Sequence, residues 1–275
     1  MTSRWVEPAH RLPNHLRGGW LLLLICCGVS GVHAAPLRDG HLTEMVRDVR
    51  MSHPGAPPAH PANGSAVGDG SVQTGRESRA EIKFNDQTVL RLGDNTDVRI
   101  DASRRSFDLI SGAVLTQVPS GVGATILNIG QITATTTGTT LTAEALPKAY
   151  LKIIVVDGTS RVCLRTGGLG SDCVLLRAGQ MLIAGPTPKS LPDAVDVHLG
   201  RLVETSHFIT QFGPLPGQDR LTKAAAAQSE RKTHGGFADS NLVIFGRGTL
   251  VTQPNKPSPT PPANTRPAAT PKPSP

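Results

Sequence analysis

Between Ser71 and Gly185 apolar and polar residues alternate in short runs separated by turn-forming residues. In SRAEIKF, Ala80, Ile82 and Phe84 fall on one side while Glu81 and Lys83 take the other. That period of two predicts a half-buried strand. TVLRLG and DVRIDA repeat it, and Asn85-Asp86-Gln87 and Gly93-Asp94-Asn95 supply the turns between them. SFDLISG, AVLTQVP, ATILNIG, QITATTT and TTLTAEA continue the rhythm, with a strand about every ten residues, as in an antiparallel sandwich, roll or barrel rather than an α/β fold. KIIVV is long enough for a strand buried on both faces. Asp157-Gly158 is a hairpin signal, and Ala178-Gly179-Gln180 predicts a second tight turn. The pattern stops near Gly185, ahead of Pro186 and Pro188.

The flanks read differently. Residues 42–51, LTEMVRDVRM, fit a helical stripe through Leu42, Met45, Val46 and Val49, yet Asp48 to Met51 alternates like a strand. Residues 53–70 form a Pro/Gly-rich loop. After the β-region, LVETSHFITQF (202–212) is loosely helical. AAAAQSERK predicts a helix near Arg220–Lys232. These helices are expected to pack on the edge of the β-domain or lie on its surface. NLVIFGRGTLV (241–251) reads as a small hairpin or added strand. If unpaired, it is a candidate for intermolecular β-contact. The tail from Pro254 holds nine prolines in 22 residues, predicting a disordered, extended linker.

The expected architecture is therefore mainly β, an antiparallel β-sandwich or roll of short strands with a small helical C-terminal appendage and a disordered Pro-rich tail. The limits are 40–185 for the β-domain, 186–251 for the helical and hairpin extension, and 252–275 for the tail. Composition sharpens this. Six Phe, one Tyr and two Trp in 275 residues leave Val, Ile, Leu and Ala to build the core.

The N-terminus adds an address. Arg4, Arg11 and Arg17 precede an apolar run from Trp20 to Val32, shorter than the ~18 residues a membrane-spanning helix needs. Val32-His33-Ala34-Ala35 has the small residues of a signal-peptidase site. Residues 1–34 read as a signal peptide, cleaved after Ala34 or Ala35. Left uncleaved, this segment would be the chain's membrane contact. Ile25 ahead of Cys26 does not fit a lipid-attachment motif. Removing 1–34 takes away three arginines and one glutamate, lowering the formal charge from +7 to +5. The remaining basic residues form no run and no aromatic interleaving, so nucleic acid is not an expected partner.

Cys163 and Cys173 remain after cleavage. In RVCLRTGGLGSDCVLL two alternating segments flank a Gly-rich turn, and a hairpin would bring the cysteines to facing or nearly facing positions. In an oxidising compartment this predicts a disulfide, contributing ~2–3 kcal/mol in the chain-entropy model. The alternative is two buried thiols. His53 and His60, seven apart in the Pro/Gly loop without a third ligand, do not make a metal site. No cofactor is expected.

GRESRAEIKFNDQTVLRLGDNTDVRID, LISGAVLTQVPSG, ITATTTGTTL, IIVVDGTSRV and VLLRAGQM come one after another in an order that resembles the FecR domain over about residues 40–185. The matching positions include the Arg79-to-Gly93 strand pair, Gly112, Val118-Pro119, Gly138-Thr139, Asp157-Gly158 and Ala178-Gly179-Gln180. The resemblance implies a leading strand at 42–51. It also implies kinship with membrane-spanning regulators whose extracytoplasmic domain senses a loaded transporter and whose cytoplasmic region controls a sigma factor. With about 19 residues before the apolar run, the chain is more similar to free-standing exported FecR-domain proteins. The matched residues Gly112, Pro119, Gly138, Thr139, Gly158, Gly179 and Gln180 have structural roles on this reading.

Three functions are compatible with these features. The first is a non-enzymatic binding or scaffold module of the cell envelope, contacting an envelope protein or a cell-wall glycan. The second is an extracytoplasmic sensor in a transmembrane signalling system. The third, an enzyme using Glu144 or Asp157 with His198 or His207, lacks any paired-group spacing, and Asp157 is better explained as a turn residue. The threonines at 133, 135, 137, 139 and 140 suit strands. The face they expose is the candidate binding surface.

Overall fold

The computed structural model describes residues 35–165, 172–230, 237, 238 and 240, all within one compact unit. The signal segment, the glycine turn between the cysteines, the 241–251 segment and the Pro-rich tail lie outside the described residues.

Two sheets share one long strand. Sheet A runs β3 (Ala66–Val67), β1 (Gly40–Val46), β5 (Arg79–Lys83), β6 (Val89–Leu92), β8 (Ser106–Val118), β11 (Thr139–Leu146), β12 (Tyr150–Asp157), β15 (Gln180–Ala184) and β16 (Val195–Asp196). Sheet B runs β2 (Val49–Ser52), β4 (Gly70–Thr74), β7 (Asp97–Asp101), the first half of β8, then β9 (Thr125–Ile129), β10 (Ile132–Thr136), β13 (Thr159–Leu164) and β14 (Cys173–Arg177). Residues 42–51 are thus strand, broken at Arg47, where φ is +63°. Every pairing between these strands is antiparallel except β8 with β9.

SFDLISG and AVLTQVP, two segments by pattern, are the single 13-residue β8. Its first half pairs with β7 and its second with β6 and β11. Between them the β7 register skips Ile110, a bulge that leaves this side chain 46% exposed. Bulges bend a strand and increase its twist, and here the bend carries β8 from one sheet to the other. Gly112 sits at the bend with φ of +88°. An added Cβ there would lie 2.5 Å from Thr96 Cα and 2.7 Å from the Asn95 carbonyl. Thr96 fastens the crossing: its Oγ1 accepts from Ala113 N at 3.0 Å, and its own N donates to Thr74 Oγ1 at 3.0 Å.

The inward faces of the two sheets make the main core. Leu42, Ile82, Leu90 and Val114 from sheet A meet Val72, Phe107, Leu127 and Val162 from sheet B. Phe84 and Phe107, rings 5.9 Å apart, are its aromatic pair. Leucine and β-branched side chains fill the rest, as a chain poor in aromatics requires.

Sheet A is covered on its other face too. Helices α1 (Leu199–Thr205), α2 (His207–Thr210) and α3 (Gln218–Glu230), with Leu215 from the α2–α3 connection, bring Leu199, Leu202, Ile209 and Leu221 onto Val89, Leu115, Ile154, Val156 and Met181. The helices therefore lie on a sheet face, and the β-region extends beyond Gly185 to β16. This second core is why seven of the eight residues of β12 are buried. Gln228 of α3 ties the layers: it accepts from Leu199 N and donates to Val197 O, each at 2.8 Å.

Candidate functional site

The helices do not close over the whole outward face of sheet A. A cleft of about 600 Å³ remains between that face and the α1–α2 corner. Its floor is apolar, made by Ala113, Ile154, Leu202 and Phe208. Its rim carries Glu77, Arg79, Asp94, Glu144, Lys152 and His207.

Strand alternation puts these groups here. Thr142 and Glu144 of β11, and Lys152 and Ile154 of β12, occupy outward positions in directly paired registers, Glu144 facing Lys152. Lys152 Nζ lies 2.6 Å from Glu144 Oε2, and the Tyr150 hydroxyl donates to Glu144 Oε1 at 2.5 Å. Both carboxylate oxygens of Glu144 are thus engaged. Arg79 is paired with Glu44 at 3.1 Å and Glu77 with Arg47. The ring of Phe212 takes the guanidinium of Arg79 on one contact and that of Arg91 on another, at 5.5 and 4.8 Å.

Arg91 is the polar anchor beneath this corner. It is 1% exposed, bound to Glu81 at 2.7 Å, and its remaining nitrogens donate to the carbonyls of Phe208 and Gly213. Burial pulls its pKa below the ordinary value, while Glu81 works the other way.

Tyr150 gives a clean measurement. Burial first, and then its hydrogen bond to Glu144, raise its pKa well above the ordinary tyrosine value. The chain has no other tyrosine, so phenolate absorbance reports this site alone. The native protein is expected to show no ionisation near pH ~10, where the unfolded chain titrates. A folded pKa raised above the unfolded one stabilises fully below about pH 10 and loses that contribution as pH rises, by at most ~1.4 kcal/mol per pH unit. Tyr150→Phe should flatten this alkaline loss. A normal phenolate titration in the folded protein would contradict the geometry.

The residues singled out from sequence fall in several places. Glu144 and His207 share the cleft. Asp157 does not: it pairs with Arg220 at 3.4 Å beside the β12–β13 turn. His198 is the N-cap of α1, accepting from Arg201 N at 3.1 Å. Cys163 and Cys173 face each other across β13 and β14 and are disulfide-bonded.

The threonine run does not form one face. Thr133 and Thr135 belong to β10 in sheet B, whereas Thr139 and Thr140 belong to β11 in sheet A and are fully buried. Gly138 makes the turn between them with φ of +61°. Thr139 Oγ1 donates to Thr159 O at 2.6 Å, a structural tie between the sheets. Pro119, half-buried, comes directly after β8. Gly158 turns β12 into β13 with φ of +85°. Gly179 turns β14 into β15 beneath Gln228, and Gln180 accepts from Arg177 N at 3.0 Å.

The part of the threonine face that survives is the outer surface of sheet B. Thr133, Asn128 and Asp108 form a hydrogen-bonded row there, at 2.9 and 2.6 Å. It carries no aromatic side chain among the described residues. Sequence reasoning did not find Arg91, Lys152 or Phe212. A charged residue at the outward position of VLRL was the available signal for Arg91, but its partners lie 117 and 122 residues away.

Among the described residues no helix is long and apolar enough to cross a membrane. Residues 70–160 match the family model described as FecR protein, from β4 to the start of β13. Two crystal structures of a protein from Parabacteroides distasonis ATCC 8503, provisionally described as an anti-sigma factor, align at 12% identity and a TM-score of 0.40. Each alignment covers 51% of this chain and 74% of that one. No curated protein matches the sequence.

Proposed function

We infer that this chain, a FecR-domain protein by its residues 70–160, is an exported, non-enzymatic binding module that serves envelope regulation by holding a partner protein at the cleft on sheet A. The family is regulatory rather than enzymatic and is associated with the envelope. The observation that carries the reading is the cleft itself: an apolar floor inside a rim whose Glu144, Arg79 and Glu77 are already held in ion pairs. Such a surface recognises apolar side chains and sets orientation with a polar border. A carboxylate with both oxygens engaged is poorly placed as a general base.

A glycan partner is less well supported. Sugars are held by stacking on exposed aromatic faces as well as by hydrogen bonds. The open face of sheet B offers hydroxyls without rings, and Phe212 is already stacked on two arginines. The signalling role is then a binding event relayed by a partner that itself crosses the membrane.

A photo-crosslinking residue at Asp94 or Thr205, both exposed on the cleft rim, should capture an envelope protein in intact cells. The same residue at Thr135, on the far sheet, should not. Co-sedimentation with purified peptidoglycan and no protein adduct from either rim position would reject this reading in favour of a wall-binding scaffold.

A further inference from the structure

The helices cover the outward face of sheet A, whereas the outer face of sheet B carries no helix among the described residues. The Cys163–Cys173 disulfide lies on that open face, on the terminal strand: among the described strands β14 is hydrogen-bonded to β13 alone. Both cysteines are partly exposed. The Leu164 amide donates to Asp172 O at 2.9 Å, so Leu164 and Asp172 form the hydrogen-bonded pair. The cysteines beside them form the closer pair without backbone bonds. Leu175, the next outward residue of β14, is 50% exposed.

Arg161 makes the two sulfurs unequal. It stands opposite Leu175 in register, and its Nη2 donates to Cys173 Sγ at 3.7 Å. Thiol–disulfide exchange proceeds by attack of a thiolate on one sulfur while the other leaves. Negative charge gathers on the attacking and departing sulfurs more than on the central one. A guanidinium at Cys173 therefore favours attack on Cys163, because it stabilises the thiolate that departs. The neighbour of Cys163 in the next strand is Thr133, a small side chain whose hydroxyl donates to Asn128 Oδ1 at 2.9 Å. Exposed disulfides are the readily exchanged ones, in contrast to those sealed in a core.

We propose that Cys163–Cys173 is an exchangeable disulfide, opened by an external dithiol at Cys163 with Cys173 leaving beside Arg161, and that its opening unlocks the start of β14. The first thiolate of the dithiol bonds to Cys163 Sγ, the S–S bond breaks, and its electron pair leaves on Cys173. The second thiol gives up its proton and attacks the external sulfur of the mixed disulfide. That closes the reagent's own disulfide and releases Cys163. Two electrons have passed to the protein, and two protons complete its thiols. Asp172 carries the consequence inward. Its carbonyl holds the Leu164 amide, and its Oδ2 accepts from Leu191 N at 2.6 Å. Leu191 in turn packs on the main core. The switch is independent of what binds the cleft.

The test uses the full chain in native buffer, with peptide mapping to read Cys163 and Cys173 on their own. Brief treatment with 2-mercaptoethanol, quenched with N-ethylmaleimide, should place the mixed disulfide on Cys163 and the maleimide on Cys173. The preference over the reverse pattern should be about threefold or more. Arg161→Gln should erase it and slow reduction by dithiothreitol about threefold, and Arg161→Lys should restore both. A purely structural role for Arg161 would shift the denaturation midpoint and leave the position of the mixed disulfide unchanged. On full reduction the Leu164 and Leu191 amides should lose protection against hydrogen exchange while those of β12 keep theirs. Reduction only in denaturant, or mixed disulfides shared equally by the two sulfurs of the unaltered chain, would overturn the exchange. Unchanged protection at both amides would overturn the unlocking of β14.

Discussion

Gly112→Ala is expected to remove about 3–5 kcal/mol of stability, a large share of the ~5–15 kcal/mol that holds a typical domain together. Two costs combine. The backbone at Gly112 has φ of +88°, a region in which a side chain costs roughly 1–3 kcal/mol. The new methyl group would also stand 2.5 Å from Thr96 Cα and 2.7 Å from Asn95 O. Backbone cannot swing aside as a flexible side chain does, so relief requires moving the β7–β8 crossing, at a further ~1–3 kcal/mol. Gly121 provides the control. Its φ is +84°, yet nothing lies within 4 Å of an added Cβ, so Gly121→Ala carries strain alone and should cost ~1 kcal/mol. Chemical denaturation of the two variants separates the effects. Equal losses would show that the close approach at the bend contributes nothing.

That position also shows what could be read from the sequence and what could not. The glycine stood out within LISGAV, and the period-two alternation on each side of it was plain. Alternation reports which way side chains point, so the strands and the turn at Gly158 were legible, whereas 42–51 fitted a helical stripe as well and only the family resemblance made it a strand. Alternation does not report which sheet a strand joins. Two short strands and one long bent strand have the same pattern, and only the skipped Ile110 distinguishes them. The threonines failed for the same reason. Thr133, Thr135, Thr139 and Thr140 are close in sequence, but Gly138 sends the second pair into the other sheet and into the interior. The helices were legible as helices from their composition. Their placement was not, because the outward apolar residues of sheet A, such as Val89, Leu115 and Ile154, belong to strands whose inward residues are equally apolar. A strand buried on both faces has lost the contrast that would show what covers it. The cleft exists only where the helical layer stops short, so it had no sequence signature.

Arg91→Met is the second large effect, expected at about 3–5 kcal/mol, the cost of removing one member of a buried ion pair. Methionine preserves much of the length and apolar volume, so the loss reports charge and hydrogen bonds rather than a cavity. It leaves Glu81, whose side chain is 16% exposed, without its 2.7 Å partner, and it strands the carbonyls of Phe208 and Gly213. Phe212 loses a cation against its ring. The damage should be directional. The inner core between the sheets does not involve Arg91, whereas the α1–α2 corner hangs on it, so amide exchange in Leu199–Thr210 should accelerate more than in β9 and β10. Arg91→Lys should rescue little, because one ammonium on a flexible stem cannot reach Glu81 and two separate carbonyls with a fixed fork. Pairing Arg91→Met with Glu81→Gln should recover about 1 kcal/mol or more, on the order of the coupling between contacting residues, by removing the stranded charge. If the double variant is as unstable as the sum of the two singles, the salt bridge is incidental and the carbonyl contacts alone seat the helices. Because α2 supplies one wall of the cleft, Arg91→Met should also weaken partner capture at Thr205, although Arg91 itself lies beneath the cavity and not on its lining.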